Sequence, residues 1–355
     1  MSRLPERDLD YVLAAAGESW KALRQRRIFI TGGTGFVGTW LVESLLHASD
    51  RLDLGITITV LTRDPNRYSR TNPSLAAHPS LAVLQGDVRN FKFPEGDFPF
   101  VIHAATPDPA LDVAIEETHH VLEFARTHGT RRFLLTSSGA MYGKQPPELT
   151  HIPEDYAGAP LVTDLNSGYG QGKRASEFLC GVYGRQYGFD PVIARLFAFS
   201  GPRLPLDRNF AVGNFVGDVL SGGPIRIQGD GTPYRSYLYA ADMAVWLWTM
   251  VVRAEPFRPY NVGSGEGLTI AELARVVTEA TVPGIPIEIA QNPVPGAPAM
   301  RYVPSVARAE QELGLRPVTT LAEGVRRMYE WAKASGVAPS TSSTSKELAT
   351  NPLAT

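Results

Sequence analysis

The 355-residue chain has one cysteine, Cys180, so it cannot close an internal disulfide or build a cysteine zinc site. It has no excess of either charge. Its 34 lysines and arginines stand against 36 aspartates and glutamates, which gives no electrostatic case for nucleic acid or a membrane surface as partner. No apolar run is long enough to cross a bilayer: Ala240 to Val252 is too short and contains Asp242. Met1 to Asp10 alternates acidic and basic residues without an apolar segment, unlike a secretory signal. There is no Gly-x-Ser-x-Gly turn for a hydrolase nucleophile, and His119 and His120 lack companion ligands for a metal. The expectation is a soluble, cytoplasmic protein with no metal site.

What is present is ample apolar material. With 43% hydrophobic and 20% charged residues, a chain of this length can bury one large α/β unit with a cap, or two domains. Residues 7–25 place Leu9, Val12, Leu13, Ala16, Trp20 and Leu23 at helical spacing, which predicts a leading amphipathic helix within residues 1–26. From Arg27, short β runs (Ile28–Thr31, Ile56–Leu61, Leu81–Gln85, Phe100–Ala104, Arg132–Thr136, Pro191–Phe197) alternate with helical runs (Phe36–Ala48, Leu111–Thr127, Tyr169–Tyr187). Such alternation predicts a doubly wound parallel sheet over residues 27–200. Beyond Gly201 the glycine- and proline-rich stretch 201–335 reads mainly as a smaller C-terminal α+β lobe, and 336–355 as a disordered tail.

The first β run leads into Gly32-Gly33-Thr34-Gly35-Phe36-Val37-Gly38. Gly33, Gly35 and Gly38, with a strand before and a helix after, form a dinucleotide fingerprint of the Rossmann type. Absent side chains let a pyrophosphate approach the backbone, and the helix N-terminus offers it free N–H groups. The second strand ends in Thr62-Arg63-Asp64. Thr62 stands where an acid would grip the ribose of NAD, and Arg63 tilts the choice towards the 2′-phosphate of NADP, although Asp64 could swing inward. Asp87, followed by Val88, is a candidate partner for the adenine amino group; its plainer reading is a local turn.

Tyr169 and Lys173 lie four residues apart on one helical face, so a phenol and an ammonium can share one substrate. A strand ending in Thr136-Ser137-Ser138 precedes them by about thirty residues. Together with His103-Ala104-Ala105, Tyr142-Gly143 and the glycine turn, these residues resemble the extended short-chain dehydrogenase/reductase family, the nucleotide-sugar epimerases and dehydratases. The resemblance spans roughly residues 27–330. It implies that Tyr169 is the acid/base, that Lys173 binds the nicotinamide ribose and tunes Tyr169, and that Ser138 hydrogen-bonds the reacting sugar oxygen. It implies a cofactor bed of Gly32, Gly33, Gly35, Phe36, Val37, Gly38, Asp87, Val88, Ala104 and Ala105. A nucleotide-diphosphate sugar would be held by Asn214, Arg235 and Arg301. A homodimer would form through the helices near Leu111 and Tyr169.

Two departures narrow the activity. Sugar dehydratases carry an acidic pair just after the active-site hydroxyl, where this chain has Gly139 and Ala140. This weighs against dehydration, which needs an acid and a base, and against decarboxylation as in the UDP-xylose synthases, which use a glutamate where Ala140 stands. Ala198 replaces an asparagine that contacts substrate. The expected activity is NAD(P)-dependent C4 epimerisation through a 4-keto intermediate. The alternatives are an NADPH-dependent 4-ketoreductase of a deoxysugar pathway and, in another class, a non-catalytic dinucleotide sensor.

Overall fold

A computed structural model describes residues 3–105, 111–208 and 210–337; the expected disordered tail lies almost wholly outside them. The chain opens with helices α1 (Glu6–Ala16) and α2 (Ser19–Leu23). The single predicted helix is thus two, because Gly17 turns the backbone to φ 44°, a conformation that costs glycine little. The alternating region follows: β1 (Arg27–Thr31), α3 (Phe36–Leu52), β2 (Thr57–Thr62), α4 (Pro65–Thr71), α5 (Pro73–Ala76), β3 (Leu81–Gln85), β4 (Phe100–His103), α6 (Leu111–Thr127), β5 (Arg132–Ser138), α7 (Gly168–Tyr187) and β6 (Asp190–Leu196). The second half adds β7 (Ala198–Ser200), α8 (Ala211–Leu220), β8 (Ile225–Ile227), β9 (Tyr234–Arg235), β10 (Tyr237–Tyr239), α9 (Ala240–Arg253), β11 (Pro259–Val262), β12 (Leu268–Thr269), α10 (Ile270–Ala280), β13 (Ile287–Ile289), β14 (Arg301–Tyr302), α11 (Ala307–Leu313) and α12 (Leu321–Ala334).

The main sheet is parallel, in the order β11-β6-β5-β4-β1-β2-β3. Central β1 and β4 read as unbroken apolar runs because helices cover both faces of the sheet. Strand order reverses between β1 and β4, and at such a point the loops leaving the strands part to form a crevice at their C-terminal ends. The seventh strand, β11, comes from beyond residue 200. Helix α9 shares a core with the first strands and helices, contributing Trp246 and Trp248 beside Trp20 and Trp40. A boundary at residue 200 is therefore crossed: the chain makes part of the lobe and then returns to close the sheet. A separate core, from Phe215, Ile225, Leu273 and Met328 among others, holds the lobe.

The leading helices pack on α9 and α3. Trp20 is 1% exposed, its indole Nε1 donates to Leu13 O at 2.9 Å, and its ring lies 5.7 Å from that of Trp248. Asp8 is fully buried and accepts Tyr239 Oη at 2.6 Å and Arg327 Nη1 at 2.8 Å; Tyr11 Oη donates to Asp242 at 2.5 Å. Residues 3–23 are thus part of the fold. Trp20→Ala should lower stability by about 3–5 kcal/mol, read as an earlier midpoint in urea unfolding.

Candidate active site

The turn between β1 and α3 leaves no room for β-carbons. At Gly32, with φ +69°, a Cβ would stand 2.3 Å from Ala104 O; at Gly33, 2.7 Å from the Val60 side chain; at Gly38, 2.2 Å from Gly32 O. Backbone meets backbone, so the turn lies flush against the end of β4. Gly35 N–H donates to Gly32 O at 3.0 Å, and α3 begins at Phe36 with Gly35 as its N-cap. Thr31 Oγ1 bonds His103 Nδ1 at 2.7 Å and accepts Ala105 N–H at 3.3 Å, which joins the turn to the segment His103-Ala104-Ala105. Burial, with Lys173 nearby, pushes His103 down to about 3, so it stays neutral. The turn, α3 and Ala104-Ala105 fit a dinucleotide: a pyrophosphate needs this close backbone approach and the positive end of a helix.

At the far end of the crevice Arg63 is exposed. Asp64 does not point inward. Its carboxylate caps α4, accepting Arg67 N–H at 2.8 Å. Asp87 is also engaged locally, accepting the Arg89 backbone N–H at 3.0 Å and its guanidinium at 2.8 and 3.1 Å; that guanidinium holds its carboxyl down at about 2. Val88 is half-buried beside it.

Ser138 ends β5, and Tyr169 and Lys173 open α7, which packs against β5. Ser138 Oγ accepts Ala140 N–H at 3.1 Å. Burial raises the Tyr169 phenol, and the neighbouring Ser138 hydroxyl works against that rise. Lys173 is buried; its Nζ donates to Thr136 O at 2.8 Å and lies 5.9 Å from the Tyr169 ring centroid. Burial brings its ammonium down to about 8, opposed by the charges of Glu117 and Glu177, so at neutral pH the cation persists. The three expected residues therefore gather at one place, at the C-terminal end of β5, with β4 between them and the strand that leads into the glycine turn.

A buried network behind them was not legible in the sequence. Ser137 Oγ donates to Glu177 at 2.5 Å; Arg195 makes a bidentate pair with Glu177 at 2.8 and 3.0 Å. Its Nη1 also donates to Tyr142 Oη at 2.7 Å, which passes to Asn261 at 2.8 Å. A buried bidentate pair with its remaining groups satisfied fixes β5, β6 and α7 relative to one another. The only sequence signal was the buried-strand context of Arg195.

The lobe contributes a cavity of about 420 Å³, lined by Phe215, Gln228, Asp230, Ile270, Gln291 and Met300 among others. Gly229, Asp230 and Gly231 also line it, and Asn214, one of the expected substrate residues, stands on α8 next to Phe215. Arg235 and Arg301 sit on paired strands that begin where Pro233 and Met300 line this cavity. Arg235 is buried and donates to Tyr234 O at 2.9 Å; Arg301 lies over the Tyr234 ring at 3.9 Å.

Gly139 and Ala140 are buried. A Cβ at Gly139 would meet both the Phe197 ring and Tyr302 Oη at 2.7 Å, so the space after Ser138 is filled by aromatic groups. Ala198 is half-buried on β7. Among the described residues no group of three His, Cys, Asp or Glu side chains could hold a metal, and no helix is long and apolar enough to cross a membrane.

Residues 28–263 match the model of the NAD-dependent epimerase/dehydratase family. The chain belongs to that family. Among curated relatives, UDP-glucuronic acid decarboxylase 6 of Arabidopsis thaliana is 30% identical over 312 residues, covering 86% of this chain and 88% of the relative. UDP-glucuronic acid decarboxylase 1 of Danio rerio is 28% identical, covering 86% and 72%. The UDP-glucuronic acid 4-epimerase of Bacillus cereus, solved with UDP-glucuronic acid and NAD, superposes with a TM-score of 0.73 at 22% identity, covering 87% of this chain and 99% of its own. The UDP-glucose 4-epimerase of Thermotoga maritima, solved with UDP-glucose, gives 0.72 at 21%, again covering 87% and 99%. The fold is that of the extended short-chain dehydrogenase/reductases.

Gly38→Ala should abolish dinucleotide binding while the chain stays folded, because its methyl group would force the turn open. Fluorescence titration with NAD⁺, alongside circular dichroism, checks this.

Proposed function

We propose that the protein is a nucleotide-sugar C4 epimerase that works through a 4-keto intermediate. The observation that carries this reading is the pairing of a Ser138, Tyr169 and Lys173 cluster with positions 139 and 140 that bear no carboxyl group and have little space for one. Tyr169 takes the proton of the sugar 4-hydroxyl and later returns it, Ser138 orients that oxygen, and Lys173 supports the phenolate with its charge. A bound nicotinamide supplies the acceptor and donor of the C4 hydride. The sugar, turned over between departure and return of the hydride, is released with C4 inverted and no net oxidation. The cavity of the lobe would take the nucleotide base, with Arg235 and Arg301 on the diphosphate.

A decarboxylase is the second reading, favoured by the names of the curated relatives. It shares the first oxidation and then loses the C5 carboxyl as carbon dioxide. A 4-ketoreductase would use the same residues once, and a non-catalytic sensor would use only the cofactor bed. We also propose a preference for NADP, supported by Arg63 just past the end of β2 and by Asp64, whose carboxylate caps α4 instead of facing the crevice. A homodimer through α6 and α7 is supported by their outward apolar side chains, among them Leu111, Ile115 and Phe178, the last 69% exposed.

Incubation with UDP-, dTDP-, GDP- and CDP-sugars, followed by proton NMR, should show an inverted C4 signal without loss of carbon dioxide. Release of carbon dioxide from a UDP-uronic acid would replace the epimerase reading with the decarboxylase, and stoichiometric NADPH oxidation with 4-keto sugars would replace it with the reductase. Tyr169→Phe should cut turnover by about 10²–10⁴-fold with cofactor affinity retained; parallel NAD⁺ and NADP⁺ titrations should favour NADP⁺. Phe178→Glu should halve the mass seen in sedimentation equilibrium, and an unchanged mass would place the dimer contact elsewhere.

A further inference from the structure

One buried acid has no task in the site as described. Glu117 lies on the inner face of α6 with Ala114, Thr118 and Val121, and is 8% exposed. Its Oε2 meets no hydrogen-bond partner among the described residues. A carboxyl oxygen taken out of water and left unpaired is costly. Its neighbours on the helix are engaged. Thr118 Oγ1 and Ser176 Oγ share a hydrogen bond at 2.7 Å, and His120 Nε2 donates to Phe91 O at 3.0 Å. One turn earlier, a Cβ at Gly172 would stand 2.7 Å from the methyl group of Ala114.

These contacts fix where the acid stands. Helix α6 follows β4, so its first turns lie at the C-terminal edge of the sheet, where the crevice opens. Thr118 ties it to α7 on one side. On the other side His120 ties it to the loop after β3, which carries Asp87. That loop leaves the sheet through Gly86, whose N–H donates to Thr62 O at 2.9 Å, and turns where Asn90 N–H donates to Asp87 O at 3.1 Å. The turn brings Phe91 edge-on to His120, with ring centroids 4.8 Å apart. Glu117, one turn nearer the crevice than His120, therefore stands between the Asp87 loop and α7.

The Asp87 loop marks the adenosine end of the crevice, where an adenine would need an acceptor for its 6-amino group. Asp87 has both oxygens on Arg89, whereas Glu117 has one without a partner. We propose that Glu117 is a further cofactor-binding residue, whose carboxyl accepts the adenine 6-amino group in place of Asp87. This rests on the dinucleotide bed described above. Burial raises the Glu117 carboxyl and the Asp87 charge adds to the rise, with Lys173, Arg89 and Arg63 opposing. In either state of protonation an oxygen is there to accept. A purine with an oxygen at position 6 would instead set acceptor against acceptor.

The test compares NAD⁺ with its hypoxanthine counterpart, which has a carbonyl oxygen in place of the amino group, by calorimetric titration without sugar. The wild-type chain should bind NAD⁺ about 10- to 100-fold more tightly. Glu117→Gln keeps the shape of the side chain, and its amide can accept from the amino group or donate to the carbonyl, so the two affinities should come within about threefold. Asp87→Asn should leave the wild-type ratio in place. Circular dichroism checks that both variants are folded, and the wild-type ratio needs neither of them. Equal affinities in the wild type, a preference that survives in Glu117→Gln, or one that vanishes in Asp87→Asn would each overturn the proposal while leaving the dinucleotide bed intact. A folded wild-type chain that binds neither dinucleotide at millimolar concentration would overturn the bed itself, and the proposal with it.

Discussion

The site depends on one steric constraint, the contact of main chain with main chain where the glycine turn meets the end of β4. Gly32 and Gly38 bring α3 down on the crevice between β1 and β4, and the same crevice is bounded on its other side by β5 with Ser138. A single methyl group at either glycine would push the turn away from its backbone neighbours, Ala104 or Gly32. Parallel strand order then does the rest: it delivers Ala104-Ala105 and Ser138 to one edge of the sheet without any special side chain.

Placement is one matter and rigidity another. Ser138 ends a strand and Tyr169 begins a helix, both positions where backbone could drift. The Arg195–Glu177 pair ties β6 to α7, and Ser137 ties β5 to the same carboxylate. Buried charges of this kind add little net stability, because desolvation offsets their attraction. What they provide is one fixed arrangement of β5, β6 and α7, which the proton transfer proposed for Tyr169 would require.

Much of this could be read from the chain because it is local in sequence. Alternating β and helical runs gave the strands from β1 to β6 within a few residues, and the glycine turn and the Tyr169/Lys173 spacing are each confined to a few consecutive positions. What could not be read is what returns from afar. Strand β11 joins the sheet from residue 259, α9 covers it from residue 240, and Tyr302 overlies Gly139 from β14. No periodicity marks such contacts. Asp64 and Asp87 were open for the opposite reason: a short polar side chain beside a turn can serve either a ligand or its own backbone, and here Arg67 and Arg89 claim them.

The leading helix has a mechanical meaning that follows from Asp8. This one carboxylate grips Tyr239 just ahead of α9 and Arg327 on α12, so it straps the lobe to the sheet. The relative placement of α9 and α12 thus rests on one carboxylate supplied by the opening turn of the polypeptide.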